Sequence, residues 1–333
     1  MSSRPYSAEN DSPPGVSVVI ATYNRAYIIS EALKSALAQT YRDFEILVVD
    51  DGSSDNTREI VESFCDRRIR YIRCDRNRGC SAACNTGIKQ ARGSFVAFLD
   101  SDDEWKSDYL ESQVSFLSRH PEVGVVFCNT LVEDPSGPSF PLMSVMHVFP
   151  KLIEKKTQVP EYIIQARQMY LCLLQEVPVK PTAVIVRREL LDRMDLFDEA
   201  WPSGTDWDLF LRLSRTSDFG YIDRILAIQK RTPDATHQKF REKDKLFLIR
   251  VFLKEKNTLA SDHDALLCVN QGLSSCYNGL GWHYLQCRRH KESLATYYRG
   301  FKETGEPLLL KKFASAVLRI ALTGVPKVPA TGG

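Results

Sequence analysis

The stretch Ser94–Trp105, SFVAFLDSDDEW, joins a short apolar run to a group of carboxylates. The run Val96–Leu99 predicts a strand that is buried on both faces, as strands of parallel sheets are. Asp100, Asp102 and Asp103 follow it directly. Because open parallel sheets bind ligands at the carboxyl ends of their strands, this stretch predicts an α/β fold with a functional edge at these carboxylates.

The spacing of the carboxylates indicates a metal site. If the strand stays extended to its end, Asp100 and Asp102 leave it on the same side, because side chains alternate along a strand. Two close carboxylates repel each other unless a cation lies between them. Their hard oxygen atoms suit Mg²⁺ or Mn²⁺, which usually bridge to a substrate phosphate. The alternative is a strand followed by the acidic first turn of a helix.

The preceding sequence alternates between strand and helix patterns. Apolar and β-branched runs at Val16–Ala21, Phe44–Val49 and Ile69–Arg73 predict three further strands, separated by apolar residues at helical spacing. This alternation predicts a mostly parallel central sheet with helices on both faces. We also expect a strand at Val123–Cys128 and a helix at Tyr162–Leu174.

Polar residues follow the first two of these strands, Thr22 and Asn24 after one and Asp50 and Asp51 after the other. Polar groups at successive strand ends converge on one crevice, which favours a nucleotide pocket, although each one alone could be a helix cap. The motifs GxGxxG and GxxxxGK[ST] are missing from the sequence. A metal and helix amides would therefore have to bind the phosphates instead of a glycine-rich loop.

The composition of the 333-residue chain excludes several classes of protein. Its 44 basic and 42 acidic residues give a net charge of only +2, so we expect no nucleic-acid partner. Nine cysteines without a CxxC pair indicate reduced thiols and a cytoplasmic location. No apolar run is long enough to cross a bilayer, and residues 1–15 predict a disordered leader.

Four motifs, in this order, resemble the nucleotide-binding half of the family 2 glycosyltransferases with a GT-A fold. They are VSVVIATYNR (16–25), VVDDGSSDNT (48–57), NRGCSAACNTGI (77–88) and FVAFLDSDDEW (95–105). The resemblance covers about Val16–Thr130. It implies Mn²⁺ or Mg²⁺ and a nucleotide-diphosphate sugar as donor, with a UDP-sugar as the first expectation. It also implies hexosyl transfer that inverts the anomeric configuration.

The resemblance assigns roles to residues of this sequence. It places Thr22, Tyr23, Asn24 and Asp51 around the base and ribose, and Asn77 and Gly79 on the nucleotide wall. It makes Asp100-Ser101-Asp102 the metal motif that also meets the donor, with Asp103 as an alternative metal ligand. Two positions depart from the pattern. Ala21 stands where the family often has Pro, and Cys84 stands where it commonly has Arg, which removes a phosphate partner.

The resemblance resumes in PTAVIVRRELLDRMDLFDEAWPSGTDWDLFLRLSR, residues 181–215. There the family has a Gly-Glu-Asp triplet whose Asp is the catalytic base. This chain has Gly204-Thr205-Asp206, so Asp206 matches the base and Thr205 replaces the Glu. Read from the residues alone, Thr205 or Asp206 would be a helix cap.

A further family motif, Tyr-Arg-x-His, corresponds to residues 229–232. Thr232 holds its His position, and His237 could substitute or lie in a solvated loop. Lys230 and Arg231 could neutralise a leaving diphosphate or belong to a solvated face.

The resulting domain prediction has a GT-A domain at residues 16–239, divided into a nucleotide-sugar and metal half (16–130) and an acceptor half (131–239). Residues 240–333 predict a helical C-terminal region, in which Asn278–Phe301 resembles one tetratricopeptide-like helix pair. Pro307–Leu322 predicts an amphipathic helix with a basic side. Such a helix can lie on an anionic membrane surface, or it can pack on the domain as an ordinary terminal helix.

The resemblance therefore implies a metal-dependent inverting glycosyltransferase of polysaccharide or glycolipid synthesis. We expect a saccharide or lipid-linked saccharide acceptor and a location in the cytoplasm, at the inner face of the membrane if the last helix binds there. The first alternative is a glycosyltransferase-like binding module without activity, because Ala21, Cys84, Thr205 and Thr232 depart from the family pattern. The second is a sugar nucleotidyltransferase, which would need a Gly-rich basic loop where ATYNRAYI stands.

Overall fold

The computed structural model describes residues 13–135, 137–153, 159–201, 204–231, 241–259 and 262–323. The chain divides into two compact units. The first consists of Met1–Met169, Val177–Ala200 and Thr205–Pro233, and the second of Tyr170–Glu176, Trp201–Gly204 and Asp234–Gly333. The first twelve residues of the predicted leader, Thr232 and His237 lie outside the described residues.

The first unit is built on one mixed sheet. Its described strands are β1 (Val16–Thr22), β2 (Phe44–Asp50), β3 (Ile69–Arg73), β4 (Phe95–Phe98), β5 (Glu104–Trp105), β6 (Val123–Glu133), β7 (Phe140–Pro141), β8 (Glu161–Ile164), β9 (Val184–Arg187) and β10 (Asp218–Lys230). Its described helices are α1 (Ile29–Leu37), α2 (Thr57–Glu62), α3 (Cys80–Gln90), α4 (Tyr109–Arg119), α5 (Phe149–Leu152), α7 (Arg188–Leu191) and α8 (Thr205–Leu213). Helix α6 (Ala166–Leu173) begins in this unit, and short 3-10 helices cover Leu142–Val145 and Pro181–Ala183.

The strand order along the sheet is β3-β2-β1-β4-β9-β6-β10-β5, with β7 on β6 and β8 on β10. Strands β1 to β4 pair in parallel, and so do β6 and β10. Strand β9 lies antiparallel between β4 and β6, so these two neighbours run in the same direction. The six strands β1, β2, β3, β4, β6 and β10 therefore end at one edge of the sheet. The parallel arrangement predicted for the first four strands is confirmed.

Helix α3 packs closely on β1. A Cβ added to Gly87 would lie 2.4 Å from Cγ1 of Val19, so only glycine allows this approach. Strand β2 is buried along its whole length, as its uniformly apolar centre predicts. Helix α3 contains most of the third sequence motif, and its start is held at the carboxyl edge of the sheet, where Asp51 accepts from the N–H of Gly79.

Two predictions about the later strands need correction. The strand predicted at Val123–Cys128 extends to Glu133, where it pairs with β7 in a hairpin. The helix predicted at Tyr162–Leu174 is wrong in its first part, because Glu161–Ile164 forms β8 and pairs antiparallel with β10. The helix begins only at Ala166, whose N–H donates to Oδ1 of Asp218. Pairing with a distant strand decided the conformation of these residues over the local helical pattern.

The second unit is helical, which confirms the predicted helical C-terminal region. Its long helices are α9 (Arg241–Thr258), α10 (His263–Gln286), α11 (His290–Thr304) and α12 (Pro307–Thr323). Helices α10 and α11 approach closely at Gly281, whose carbonyl oxygen accepts from Oγ of Ser293 at 2.7 Å. Among the described helices, none combines the length and the apolar character that a bilayer-spanning segment requires.

Candidate active site

The loop after β1 is joined to the loop after β2 by hydrogen bonds. The N–H of Asn24 donates to Oγ of Ser53, and the N–H of Ser54 donates to Oδ1 of Asn24, each at 2.8 Å. Thr22 is buried, and its hydroxyl makes no hydrogen bond with any described residue. Tyr23 is 45% exposed, so its ring stands open at this edge. The structure thus brings three of the predicted nucleotide contacts together.

Asp51, at the end of β2, is buried and ties this strand to the start of α3. Its carboxylate accepts from the N–H groups of Arg78 and Gly79, at 2.7 Å for the bond to Gly79. Burial raises the pKa of Asp51, and these two hydrogen bonds oppose the rise. The carboxylate therefore holds the segment that carries the exposed Asn77. A contact of Asp51 with base or ribose stays a prediction.

The acidic segment after β4 is a turn, and the expected extended geometry is wrong. Strand β4 ends at Phe98, and the N–H of Asp103 donates to the carbonyl oxygen of Asp100 at 3.1 Å. The carboxylates nevertheless converge. Burial, Asp102 and Asp206 raise the pKa of Asp100 to about 7, because these neighbouring charges repel its ionised form. The structure therefore places Asp206 of α8 within electrostatic range of the acidic motif.

The three acidic residues of the motif are not equivalent. Asp103 is only 2% exposed, and its Oδ1 accepts from the N–H of Lys230 at 2.9 Å, which ties the turn to β10. Burial and the two neighbouring carboxylates raise the pKa of Asp103. Asp102 is 18% exposed and lies 3.7 Å from Arg25. Asp100 and Asp102 are thus more accessible ligands than Asp103, which stays an alternative.

These residues fit a divalent cation by the chemistry of their oxygen atoms, since crowded carboxylates are the ligands that Mg²⁺ and Mn²⁺ prefer. Among the described residues, no group of three His, Cys, Asp or Glu side chains is arranged to hold a metal ion. Asp100 and Asp102 would therefore share the ion with oxygen atoms of a substrate, as is usual for Mg²⁺.

Asp206 lies in the first turn of α8, which is fixed to α3 by a hydroxyl pair. The Oγ1 atom of the buried Thr205 lies 2.9 Å from Oγ of Ser81. The Thr205 that replaces the expected Glu thus connects the two helices. Asp208, two residues further along α8, forms an ion pair with Arg212 at 2.8 Å. Of these two carboxylates in α8, Asp206 is therefore the one available for chemistry at Asp100.

Two cations proposed as diphosphate partners already have carboxylate partners. The Nζ atom of Lys230 pairs with Glu31 at 2.5 Å and also with Glu104. Arg231 pairs with Asp134 at 2.7 Å. Their charges are balanced by these carboxylates, which argues against a role for Lys230 and Arg231 as phosphate ligands.

Cys84 does not supply a cation either. The thiol of Cys80, burial and the carboxylates of Asp100 and Asp206 together raise the pKa of Cys84 well above its usual range. The thiol is therefore neutral at neutral pH. Three residues that the structure places at or beside this site, Arg25, Asn85 and Lys180, were not among the predicted site residues. Arg25 could have been found, since it ends the first quoted motif.

The sequence is similar to those of known glycosyltransferases. The sequence model described as "Glycosyl transferase family 2" matches residues 17–193. An uncharacterized glycosyltransferase of Rickettsia felis is 34% identical over 220 residues, which make up 64% of this chain and 32% of that protein. Escherichia coli WfgD, named as a UDP-Glc:alpha-D-GlcNAc-diphosphoundecaprenol beta-1,3-glucosyltransferase, is 45% identical over 105 residues, 32% of this chain and 42% of WfgD. The chain thus spans less than half the length of both relatives.

Among solved structures, S. aureus TarS 1-349 in complex with UDP-GlcNAc is similar in fold. The TM-score is 0.59 at 22% identity, and the match covers 90% of this chain and 79% of TarS 1-349. At this level of identity the likeness concerns the fold alone. It confirms the predicted fold class, a GT-A type sheet flanked by helices and followed by a helical region.

Proposed function

Since this chain belongs to family 2 of the glycosyltransferases, we propose that it moves a sugar from a nucleotide-diphosphate sugar to an acceptor hydroxyl and inverts the anomeric configuration. The observation that carries the proposal is the convergence of Asp100, Asp102 and Asp206 at the carboxyl edge of the sheet. This arrangement combines ligands for a cation with a separate carboxylate that can act as a base.

In the proposed reaction, an acceptor hydroxyl oxygen attacks the anomeric carbon on the face opposite the diphosphate. The bond from the anomeric carbon to the diphosphate oxygen breaks, and the nucleoside diphosphate leaves with the electron pair. Asp206 accepts the proton of the attacking hydroxyl, and a positioned base of this kind contributes about 10²–10⁴-fold to a rate. The sugar passes through a state with oxocarbenium character, so a single displacement inverts its configuration.

We propose that Asp102 and Asp100 bind the divalent cation, Mn²⁺ or Mg²⁺, with Asp103 as the alternative ligand. When bound, such an ion neutralises negative charge that develops on the leaving diphosphate. Thr22, Tyr23, Asn24, Asp51, Asn77 and Gly79 are the proposed nucleotide contacts. The exposed ring of Tyr23 supports one of these assignments, and the buried hydroxyl of Thr22 has no hydrogen-bond partner among the described residues.

For the substrates, we propose a UDP-hexose as donor and a lipid-linked saccharide as acceptor. The name of WfgD gives UDP-Glc and a diphosphoundecaprenol-linked GlcNAc as its substrates, and TarS was solved with UDP-GlcNAc. A lipid-linked acceptor would place the enzyme at the cytoplasmic membrane surface, with polysaccharide or glycolipid synthesis as its role. Helix α12 is the proposed contact with that surface.

The test is a screen of UDP-, GDP- and dTDP-sugars for binding and for slow hydrolysis, each with Mn²⁺, with Mg²⁺ and with EDTA. We expect one donor class to bind and to be hydrolysed only with metal. Asp102→Asn should reduce this turnover about a hundredfold or more, since it removes a charged metal ligand. The matched control is Asp192→Asn, which alters an exposed carboxylate at the end of α7 and should leave turnover unchanged.

Two results would contradict the proposal. If the wild-type protein bound no nucleotide sugar under any metal condition, the chain would be a glycosyltransferase-like binding module. If a donor were hydrolysed equally with EDTA, the reaction would not depend on a metal.

A further inference from the structure

We propose that Lys180 is the residue of this site that binds a diphosphate group through its ammonium. The inference rests on the proposed function, because it assigns a further residue to the same site. It does not follow from any of the sequence motifs, which end at Trp105 and resume at Pro181.

The sheet topology places Lys180 at the functional edge. Strand β9 runs antiparallel to β4, with Ala97 opposite Ile185, so β9 begins at the edge where β4 ends. Lys180 lies just before β9, at the start of the 3-10 helix Pro181–Ala183. This segment is fixed to the acidic turn, because Nε1 of Trp105 donates to the carbonyl oxygen of Thr182 at 2.6 Å.

Lys180 and Arg25 are both cations within electrostatic range of the Asp100 carboxylate. Arg25 lies 3.7 Å from Asp102. In the part of the chain that the structure describes, the ammonium of Lys180 makes no hydrogen bond or ion pair.

A half-buried ammonium that has no acceptor among the described residues is costly, because it has lost part of its hydration. A diphosphate offers several charged oxygen atoms to such a group, and charge-assisted hydrogen bonds to phosphate are strong. The other candidates at this edge do not meet this need, since Lys230 and Arg231 are paired and Cys84 is neutral. Lys180 therefore supplies the positive charge that an Arg at position 84 would have supplied.

The diphosphate could come from either of two substrates. The donor carries one between nucleoside and sugar, and a lipid-linked acceptor carries one between lipid and saccharide. Both present the same chemistry to Lys180, so the experiment has one arm for each.

The test compares wild type, Lys180→Met, Lys180→Arg and the control Lys89→Met by titration calorimetry in the presence of Mn²⁺. Met keeps the length of the side chain up to Cε and removes the charged ammonium. The control residue Lys89 is exposed at the end of α3. The donor arm measures the binding of UDP, GDP and dTDP and compares each with the corresponding nucleoside, which has no phosphate. The acceptor arm uses GlcNAc linked to an undecyl chain through a diphosphate, compared with octyl GlcNAc, which has no phosphate.

If Lys180 binds the donor, Lys180→Met should weaken nucleoside diphosphate binding about ten- to a hundredfold and leave nucleoside binding unchanged, as expected for loss of a hydrogen bond between charged groups. If it binds the acceptor, the same loss should appear for the diphosphate-linked GlcNAc alone. Lys180→Arg should retain most of the affinity, and unchanged melting temperatures should show that the variants fold.

Equal affinity of wild type and Lys180→Met for all diphosphate probes would overturn the assignment of Lys180 while leaving the proposed function intact. A general loss that includes the nucleoside would also overturn it, because it would indicate a structural role. Failure of the wild-type protein to bind any nucleoside diphosphate would instead refute the proposed function, and the inference with it.

Discussion

The side chain of Asn85 satisfies both backbone polar groups of Phe197. Its Nδ2 donates to the carbonyl oxygen at 2.9 Å, and its Oδ1 accepts from the N–H at 3.0 Å. The neighbouring carbonyl of Leu196 accepts from Arg212 of α8 at 2.9 Å. Asn85 belongs to α3, so this loop is held from α3 and from α8 together. These bonds, with the contact between Ser81 and Thr205, fix the helix that carries Asp206.

We therefore expect Asn85→Ala to act as a positioning mutation. It leaves two buried backbone groups without partners, which should cost about 2–4 kcal/mol of unfolding free energy. Sugar transfer should fall more than donor binding does, because the base moves while the nucleotide contacts remain. Thermal unfolding and a separate determination of kcat and donor KM measure the two effects.

The matched control for Asn85 is Asn56→Ala, since Asn56 is exposed and forms no capping hydrogen bond at α2. It should change neither stability nor kcat. Equal loss of donor affinity and kcat in Asn85→Ala would contradict a positioning role.

A second prediction separates the two carboxylates of α8. Asp206→Asn should reduce transfer to an acceptor about 10²–10⁴-fold while donor binding persists, because it removes the proposed base. Asp208→Asn should have a small effect, since Asp208 is engaged with Arg212 within the helix. Acceptor-dependent turnover and nucleotide titration of both variants provide the measurement. A larger loss of acceptor-dependent turnover in Asp208→Asn than in Asp206→Asn would assign the role of base to Asp208 instead.

Local motifs explain how much of the fold could be predicted. The strands β1, β2 and β3 and the acidic end of β4 follow from short apolar runs and from the residues next to them, so they could be read directly. The turn after Phe98 could not, because a hydrogen bond from Asp103 to Asp100 replaces the extended continuation. The metal hypothesis used alternation along an extended strand to bring Asp100 and Asp102 to one side, whereas in the structure a turn brings the two carboxylates near each other.

Residues whose position depends on pairing with distant segments could not be predicted from the sequence. Lys180 lies at the site because β9 is placed antiparallel between β4 and β6. No local sequence pattern predicts this position of β9. Tyr162 and its neighbours pair with β10, which overrides a helical periodicity. Asn85 stood inside a quoted motif, but its partner Phe197 lies far along the chain.

A third prediction concerns helix α12. Leu308, Leu310, Val317 and Leu318 are exposed on it, while Leu309 is buried. Lys311 and Lys312 are exposed beside them, so this helix presents apolar and basic groups together. We expect the protein to bind vesicles that contain phosphatidylglycerol and to bind phosphatidylcholine vesicles weakly.

Vesicle co-sedimentation measures this binding. Lys311→Gln combined with Lys312→Gln should weaken it about tenfold or more, since each lysine near an anionic surface contributes about 1 kcal/mol. Lys254→Gln combined with Lys291→Gln is the matched control, because these two lysines are exposed on α9 and α11. Equal loss in both pairs would indicate a dependence on net charge alone, without a binding helix.

The fourth prediction concerns Glu45, a residue of β2 whose buried carboxylate accepts hydrogen bonds from two guanidinium groups. Its oxygen atoms accept from Arg92 at 2.9 Å, from Arg70 at 3.1 Å and from Oγ of Ser17 at 2.8 Å. Burial alone would raise the pKa of Glu45, but the hydrogen bonds outweigh it and hold the pKa below its usual value. The ionised form is thus more stable in the folded protein than in the unfolded chain.

Glu45 therefore stabilises the fold above the pKa of an unfolded glutamate, about 4.3, and this contribution is lost as the pH falls through the lower folded pKa. Glu45→Gln should reduce the unfolding free energy at pH 7 by about 2 kcal/mol, a value kept modest because both arginines are partly exposed. The difference from wild type should shrink below about pH 4, where wild type loses the charge as well. Guanidinium unfolding at several pH values measures this, with the exposed Glu59→Gln as control. A difference that stayed constant down to pH 3 would mean that the variant loses packing and hydrogen bonds whose strength does not depend on the charge of Glu45.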